Sequence, residues 1–295
     1  MEENTVAPAQ AGAHTEHPVT RSMDPGLRRD DGLEVSSKFA ELDAVHLKAP
    51  DGAEAIITLY GAHLVSWKTA DGRERMFLSA KSALDGTKAI RGGIPVIFPQ
   101  FATRGAGMRH GFARVLPWRV TASGVEDGAA FAIFTLADSD LPATVATSWP
   151  HKFTLTLYIV MKGSSISMSL NVRNDGDAPF PFAAALHTYH LVDDLSAVRI
   201  DGVQPSTLTL GDKLDEVFEG IHLVTLASGA GALRLEQAGF TDAVVWNPGA
   251  ADTAAMSDME ADEYKRFVCI EPALLGPATL EPGQAWHGRY NVSCS

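Results

Sequence analysis

The segment AVHLKAPDGAEAIITLYGAHLVSWKTADGRERMFLS, residues 44–79, shows the pattern that the rest of the chain repeats. Short apolar or alternating runs are separated by the Asp-Gly pairs at 51–52 and 71–72. Asp-Gly between such runs is a strong hairpin signal, because both residues accept the backbone angles of a tight turn. The segment therefore predicts antiparallel strands joined by short turns.

The same spacing of strands and turns continues toward the C-terminus. Apolar or alternating runs of strand length lie at 129–136, 153–161, 165–172, 197–203, 232–237, 242–246, 266–270 and 288–292, with turns at 124–128 and 174–176. Helical periodicity is confined to short stretches at 80–84 and 208–217, so the repeated helices of a βαβ fold are missing. The sequence predicts an all-β fold, a large antiparallel β-sandwich with a few short helices.

The first 38 residues differ from the rest of the chain. They contain Pro, Gly and charged residues without an apolar period, which predicts a disordered N-terminal tail. Residues 39–295 are long enough to form a single β-sandwich domain.

Charge and cysteine content narrow the class of protein. The 295 residues carry a formal net charge of −12, which argues against nucleic acid or an anionic membrane as a partner. The two cysteines, Cys269 and Cys294, form no disulfide framework. No apolar run in the sequence reaches spanning length, and we expect no signal peptide. We expect a cytoplasmic monomer that acts on a small molecule.

One segment reverses the acidic character of the chain. Residues 86–125 contain no Asp or Glu, although the whole chain has 36 of them, and they carry six positive side chains: Lys88, Arg91, Arg104, Arg109, Arg114 and Arg119. Arginine suits phosphate because its planar fork donates two parallel hydrogen bonds. A cationic surface face is the alternative, although the apolar and Gly-rich residues between the charges argue against it. In IRGGIPVIFP, residues 90–99, a Gly-Gly turn before a buried strand would place Arg91 at the rim of the core.

Two further segments hold candidate proton carriers. FPFAAALHTYHL, residues 180–191, places His187 and His190 after an apolar strand, where a structural histidine remains an alternative. In RFVCIEPA, residues 266–273, period-2 alternation puts Cys269 and Glu271 on one face of a buried strand. A carboxylate there is costly unless it is paired or used. A His and a Glu across a cleft are sufficient for general acid–base catalysis.

The sequence lacks the motifs of metal, dinucleotide, nucleotide-phosphate and serine-hydrolase sites. The histidines show no HExxH spacing and the cysteines no CxxC, so no metal site is expected. No dinucleotide fingerprint after a strand, Walker loop or GxSxG elbow is present, so we expect no cofactor and no serine-hydrolase activity.

The motifs from about residue 39 onward resemble, in their order, those of the hexose-6-phosphate mutarotases (glucose-6-phosphate 1-epimerases), within the aldose 1-epimerase, galactose mutarotase-like superfamily. They are DGTKAIRGGIPVIFPQF at 85–101, RHGFAR at 109–114, Trp118, LHTYHLV at 186–192, DAVVWNPG at 242–249 and VCIEPA at 268–273. The resemblance implies an epimerase that interconverts the α and β anomers of hexose 6-phosphates without a cofactor, with glucose 6-phosphate as the expected substrate.

The resemblance also implies residue roles. His187 would be the general acid that protonates the ring oxygen, and Glu271 the general base that takes the proton of the anomeric hydroxyl. The ring would open, the C1–C2 bond rotate, and the reverse transfers close the ring on its other face. Arg91 and Arg114 match the phosphate- and substrate-binding arginines of the family.

Three more positions are implied as substrate contacts. Arg109 stands where family members often have Gln, so it adds charge to the pocket. His110 matches a sugar contact, with a structural role beside Gly111 as the alternative. The acidic residue that contacts sugar hydroxyls falls on Asp215, or on Asp212 in another register.

Two other functions remain as hypotheses. The first is a non-catalytic sugar-phosphate-binding module on the same sandwich, since a fold does not fix a function. The second is an aldose 1-epimerase for neutral hexoses, which would leave the arginine cluster without a role.

Overall fold

The described residues of this computed structural model, 37–229 and 231–294, form eighteen β-strands. The strands are β1 (Ser37–Phe39), β2 (Leu42–Lys48), β3 (Glu54–Thr58), β4 (His63–Lys68), β5 (Val96–Ile97), β6 (Arg119–Glu126), β7 (Ala129–Ala137), β8 (Phe153–Lys162), β9 (Ser165–Asn174), β10 (Phe180–Leu186), β11 (Tyr189–Leu191), β12 (Arg199–Asp201), β13 (Leu214–Glu219), β14 (Leu223–Ser228), β15 (Gly231–Ala238), β16 (Asp242–Asn247), β17 (Phe267–Leu280) and β18 (Ala285–Cys294).

The helices are short. In the same residues they are α1 (Ala143–Ser148), α2 (Gly249–Ala255) and the 3-10 helices Ala113–Val115, Asp138–Asp140, Leu195–Ala197 and Glu263–Arg266. The prediction of an all-β fold with a few short helices is confirmed. Within the part of the chain that the structure describes, we find no helix with the length and apolar character needed to cross a membrane.

The strands form three antiparallel sheets. The largest has the order β12-β14-β15-β18-β9-β8-β7-β6, and the second the order β13-β16-β17-β10-β5 with β11 paired to β17. Strands β1 to β4 form the third sheet in chain order. In β7 every second residue is buried, as expected where one sheet face covers the core. Buried side chains of all three sheets meet in one apolar cluster, which includes Trp67 and Trp118.

Local turn signals placed several strands correctly, but neither of the two stretches with a helical pattern, 80–84 and 208–217, contains a helix. The turn at Asp51-Gly52 joins β2 to β3, as predicted. Residues 208–217 are not helical: Leu208 bridges Ile200, and β13 begins at Leu214. All six residues of β13 pair with β16, so tertiary pairing prevails over the weak local helical pattern.

The predicted tail, residues 1–38, lies outside the described residues except for Ser37 and Lys38. These two belong to β1, so the ordered sheet begins before Phe39. The predicted boundary between tail and domain stays a prediction.

Candidate active site

A cavity of about 420 Å³ opens at one end of the second sheet. It is lined by charged, aromatic and apolar side chains, and all seven predicted site residues are among them: Arg91, Arg109, His110, Arg114, Asp215, His187 and Glu271. They come from four parts of the chain that are separated by more than 20 residues, 91–114, 187, 215 and 271, so the fold brings together what the sequence keeps apart.

The register of the second sheet explains how its strands supply the cavity. Asp215 of β13 lies opposite Trp246 of β16, and Trp246 lies opposite Cys269 of β17. On the other side of β17, Cys269 lies opposite Tyr189 of β11. Glu271 is two residues beyond Cys269, so it shares the same face, as the alternation predicts. Of these residues, Asp215, Trp246, Tyr189 and Glu271 line the cavity.

His187 and Glu271 form a buried pair. The His187 Nδ1 and Glu271 Oε1 atoms are 3.3 Å apart, and the two residues are 8% and 1% exposed. Neither His187 Nδ1 nor Glu271 Oε2 has an aligned hydrogen-bond partner in the protein. Buried polar atoms without partners are costly, which is typical of groups that await a ligand. The predicted proton carriers are therefore adjacent and unsatisfied.

Burial shifts both groups toward their neutral forms. It raises the pKa of Glu271 well above the ordinary value of 4.5, and the Asp215 carboxylate adds to the effect. It lowers the pKa of His187 well below 6.5, and His110, Arg91 and Arg114 act in the same direction. Two groups with opposite shifts are the pattern expected of an acid and a base at one site.

The Gly-Gly turn before β5 positions Arg91. Gly92 and Gly93 have φ angles of +119° and +59°. A Cβ on Gly92 would collide with the Phe77 carbonyl oxygen, and one on Gly93 with that of Leu64. The buried ring of His63 lies 2.7 Å (Nε2) from the Gly92 carbonyl oxygen. Burial lowers the pKa of His63 to about 4, so the neutral ring can donate this hydrogen bond.

Arg91 is held from two sides. Its Nε donates to the Asp258 carboxylate at 3.1 Å, its Nη2 lies 3.1 Å from the same carboxylate oxygen, and its Nη1 donates to the Tyr189 hydroxyl at 3.0 Å. Burial disfavours its charge, but Tyr189 and Asp258 outweigh burial and raise the pKa of the guanidinium. Arg91 is thus a fixed cation at the rim of the cavity.

Arg114 is less fully paired. It lies in the 3-10 helix Ala113–Val115, and its Nη2 donates to the Arg109 carbonyl oxygen at 2.9 Å. Its buried Nε has no partner in the protein. Burial, and then the charges of Arg91 and Arg109, lower the pKa of Arg114. Among like charges, this guanidinium would be stabilised by an anion that supplies the missing acceptor.

His110 approaches the pair of His187 and Glu271 from the same loop as Arg109. Its φ of +62° is in the left-handed region, and its Nδ1 accepts a hydrogen bond from the Ala102 amide at 3.3 Å. Its ring meets that of His187 edge-on, with centroids 5.4 Å apart. Burial, with Arg114, Arg109 and Arg91, lowers its pKa to about 3, so it is neutral. Its Nε2–H is then free to donate to a ligand.

The two acidic alternatives occupy different places. Asp215 lines the cavity. Asp212 does not line it; its Oδ1 accepts a hydrogen bond from the Ala250 amide at the start of α2. Asp215 is therefore the one of the two that can contact a ligand in the cavity.

Sequence reasoning missed one functional neighbour and left two others open. Asp258 was not singled out, because its contact with Arg91 spans 167 residues and its surroundings are generally acidic. Tyr189 and Trp246, which lie within the motifs LHTYHLV and DAVVWNPG but were given no role, line the cavity, and the Tyr189 ring stacks on His187 with a centroid distance of 4.9 Å. His190 has a structural contact, since its Nε2 lies 3.0 Å from the buried Tyr290 hydroxyl.

One set of donor atoms has the spacing of a metal site. Atoms of His187, Cys269 and Glu271 lie within 4.8 Å of one another, the one such group among residues 37–229 and 231–294. Two features disfavour a divalent cation there. Burial raises the pKa of the Cys269 thiol, which would have to ionise, and Arg91 and Arg114 already make the cavity positive. His187 and Glu271 therefore stay available for proton transfer.

The sequence is similar to a known family over most of its length. The aldose 1-epimerase family profile matches residues 43–215. A candidate glucose-6-phosphate 1-epimerase of Cenchrus ciliaris is 35% identical, over 88% of this chain and 89% of the relative. A protein of the same name from Escherichia coli strain K12 is 31% identical, over 87% of this chain and 89% of the relative.

Solved structures show the same fold. A candidate mutarotase from Salmonella typhimurium, YeaD, superposes with a TM-score of 0.76 at 26% identity, over 88% of this chain and 92% of that chain. A galactose mutarotase-like protein from Clostridium acetobutylicum superposes with a TM-score of 0.70 at 15% identity, over 88% and 97% of the two chains, and shows the fold alone. The predicted large β-sandwich is confirmed as the galactose mutarotase-like fold.

Proposed function

Because this chain belongs to the aldose 1-epimerase family and is therefore an isomerase of hexoses, we propose that it exchanges the α and β anomers of hexose 6-phosphates, with glucose 6-phosphate as the preferred substrate. The names of the relatives from Cenchrus ciliaris and Escherichia coli support the substrate. The observation that carries the proposal is the 3.3 Å pair of His187 and Glu271 in a cavity that also holds Arg91 and Arg114.

The pair accounts for the chemistry. One proton shared by His187 and Glu271 provides one donor and one acceptor, which is what ring opening needs. The donor gives its proton to the ring oxygen while the acceptor takes the proton of the anomeric hydroxyl, and the C1–O5 bond breaks. After rotation about C1–C2 the same transfers run in reverse. Since mutarotation already proceeds slowly in water, general acid–base catalysis by two fixed groups is sufficient.

The remaining side chains orient the sugar phosphate. We assign the phosphate to Arg114 and Arg91, with Arg109 as an additional cation at the exposed rim. The neutral His110 donates to a sugar oxygen and Asp215 accepts from a sugar hydroxyl. We also propose that the enzyme acts as a cytoplasmic monomer without a cofactor, which its net charge of −12 and two free cysteines support.

Two-dimensional exchange NMR of the glucose 6-phosphate anomers at equilibrium tests this function. We expect cross-peaks between the anomers to grow far faster with the protein than without it. Glu271→Gln should reduce the enzymatic rate by about 10²–10⁴-fold, because the pair loses one proton carrier. Glucose and galactose are the unphosphorylated controls.

Each outcome identifies a function. The proposal is supported if the protein accelerates the anomer exchange of glucose 6-phosphate and Glu271→Gln loses this acceleration. Acceleration of neutral sugars alone would favour the aldose 1-epimerase hypothesis and remove the arginines from substrate binding. Binding of glucose 6-phosphate by the folded protein without acceleration of any sugar would leave the binding-module hypothesis.

A further inference from the structure

The cavity joins an anion subsite, formed by the guanidinium groups of Arg91 and Arg114, to the proton-transfer pair of His187 and Glu271. On the basis of the proposed function, we propose that a dianion in this subsite activates the pair as well as anchoring the substrate. The enzyme should therefore epimerise unphosphorylated glucose when a free tetrahedral dianion occupies the subsite. The phosphate group would then be an activator that the normal substrate carries with it.

Direct contacts connect the subsite to the pair. Arg91 Nη1 donates to the Tyr189 hydroxyl at 3.0 Å, and the Tyr189 ring stacks on the His187 ring with an interplanar angle of 10°. On the other side, the partly buried Arg114 presents an Nε without an acceptor. An anion that accepts from this group would lie in the same cavity as His187.

In the free protein the shared proton favours the carboxyl group. With one proton, the pair has two arrangements of the same net charge: neutral His187 with protonated Glu271, or imidazolium with carboxylate. Arg91 and Arg114 oppose the imidazolium, and the neutral His110 gives it no compensating charge. Burial and Asp215 oppose the carboxylate. The neighbouring Cys269 thiol, with a raised pKa, is neutral too.

A dianion changes this balance at one end of the pair. It offsets the positive charges that oppose the imidazolium, and in a cavity of low dielectric such an effect is much stronger than in water. Once the imidazole and the carboxyl group, whose Nδ1 and Oε1 atoms lie 3.3 Å apart, rotate into hydrogen-bond alignment, the proton moves from Glu271 to His187, and the net charge of the pair stays the same. The product is an imidazolium that can protonate the ring oxygen and a carboxylate that can accept the anomeric proton.

This coupling predicts a kinetic signature. If phosphate only anchored the substrate, its loss would raise KM and leave kcat unchanged. If phosphate activates the pair, its loss lowers kcat, and a separate dianion restores part of it. Glucose thus represents the reacting part of the natural substrate, and sulfate or phosphite represents its activating part.

The experiment follows glucose anomer exchange by NMR during titration with sulfate, and then with phosphite. Sulfate is the main probe because it is a very weak base at neutral pH. We expect a saturable, enzyme-dependent increase of about tenfold or more in the rate with glucose, equivalent to about 1.4 kcal/mol of transition-state stabilisation. The same sulfate should inhibit the reaction of glucose 6-phosphate competitively, since both occupy one subsite.

Two variants locate the effect. Arg114→Ala should abolish the activation by sulfate, and Arg114→Lys, which keeps the charge, should retain part of it. Arg104→Ala is the matched control, because Arg104 is an exposed arginine of the same basic segment that does not line the cavity. A thermal unfolding curve for each variant shows that it is folded.

Glucose 6-phosphate exchange in the same samples separates the two proposals. If this exchange is absent, the proposed function itself fails. Glucose 6-phosphate exchange that is present and inhibited by sulfate, with no effect of sulfate on glucose exchange, would mean that the phosphate only anchors the substrate. The proposed activation by a dianion would then be wrong. Activation is also overturned if sulfate does not compete with glucose 6-phosphate, or if the increase with glucose is equal in Glu271→Gln or without enzyme.

Discussion

Asp215 and Asp212 are a matched pair of exposed carboxylates, one inside the cavity and one outside it. The Asp215 charge helps to raise the pKa of Glu271. The pair needs one proton, and at high pH that proton is lost from Glu271. Asp215→Asn should therefore move the alkaline limb of the kcat/KM profile to lower pH. It should also raise KM about fivefold, since it replaces a hydrogen bond worth about 1 kcal/mol.

Asp212→Asn is the control for this prediction. An amide oxygen can still accept the hydrogen bond from Ala250, so the start of α2 is kept. We expect its pH profile and KM to match the wild type. An alkaline limb that shifts in Asp212→Asn and stays in place in Asp215→Asn would show that the sugar contact belongs to the other register.

Glu271 should lower the stability of the folded protein, because a buried carboxyl group with a raised pKa is costly to ionise. Its pKa in the folded protein lies above 4.5, so the unfolded chain loses this proton first as the pH rises. The folded state then becomes less stable with rising pH, from about pH 4.5 up to the raised pKa. Glu271→Gln cannot ionise. Its free energy of unfolding relative to wild type should therefore increase as the pH rises above about 4.5.

Denaturant unfolding at several pH values checks this prediction. Glu281→Gln makes the same chemical change at an exposed carboxylate just beyond the end of β17 and should show no such trend. A constant difference between wild type and Glu271→Gln across the pH range would mean that Glu271 is ionised at neutral pH in the folded protein.

The turn before β5 depends on glycine for two separable reasons. Gly93 has a positive φ, and a Cβ there would meet the backbone of Leu64 and the ring of His63. Gly72 also has a positive φ, of +80°, but a Cβ there would meet nothing within 4 Å. Gly72→Ala should cost about 1 kcal/mol through backbone strain alone. Gly93→Ala should cost about 3 kcal/mol or more, since the clash adds to the strain.

Midpoints of denaturant unfolding measure both costs, and the KM for glucose 6-phosphate reports the position of Arg91. We expect KM to rise in Gly93→Ala and to stay unchanged in Gly72→Ala. Equal destabilisation by the two variants would mean that the close approach of the turn to Leu64 has no energetic importance.

The elements around the site differ in how far the sequence predicts them. The Gly-Gly turn and the strand after it have a local signal, and both are present at Arg91 to Ile97. The strand face of Glu271 also followed from local alternation. Strand β13 could not be predicted in this way, because its pattern of mostly exposed residues becomes a strand only through pairing with β16. Asp258 was missed for the same reason, since no local pattern encodes a contact with a distant arginine.

At the scale of the molecule, the sheets juxtapose motifs that lie far apart in the chain. Strand β10 lies between β5 and β17, so the segment that ends at His187 runs between those of Arg91 and Glu271. Composition and charge predicted a small anionic ligand, and alternation predicted a β-sandwich. Strand order and the meeting of His187 with Glu271 are long-range features. The sequence could indicate them only through the order of the motifs, by resemblance to a family.

The site residues all lie between Arg91 and Glu271, which leads to a prediction about the start of the chain. Removal of residues 1–33 should leave kcat/KM unchanged and Tm within about 2 °C of the full chain, because the segment has no apolar period from which to build a core.

Removal of residues 1–41 also deletes β1, whose Phe39 packs against the small cluster of Leu42, Val65 and Ile90. This longer truncation should lower the free energy of unfolding by about 1–3 kcal/mol. Both predictions are checked by thermal unfolding of the truncated proteins and by NMR of the anomer exchange that they catalyse. A loss of activity with the shorter truncation would mean that the N-terminal residues contribute to the active enzyme.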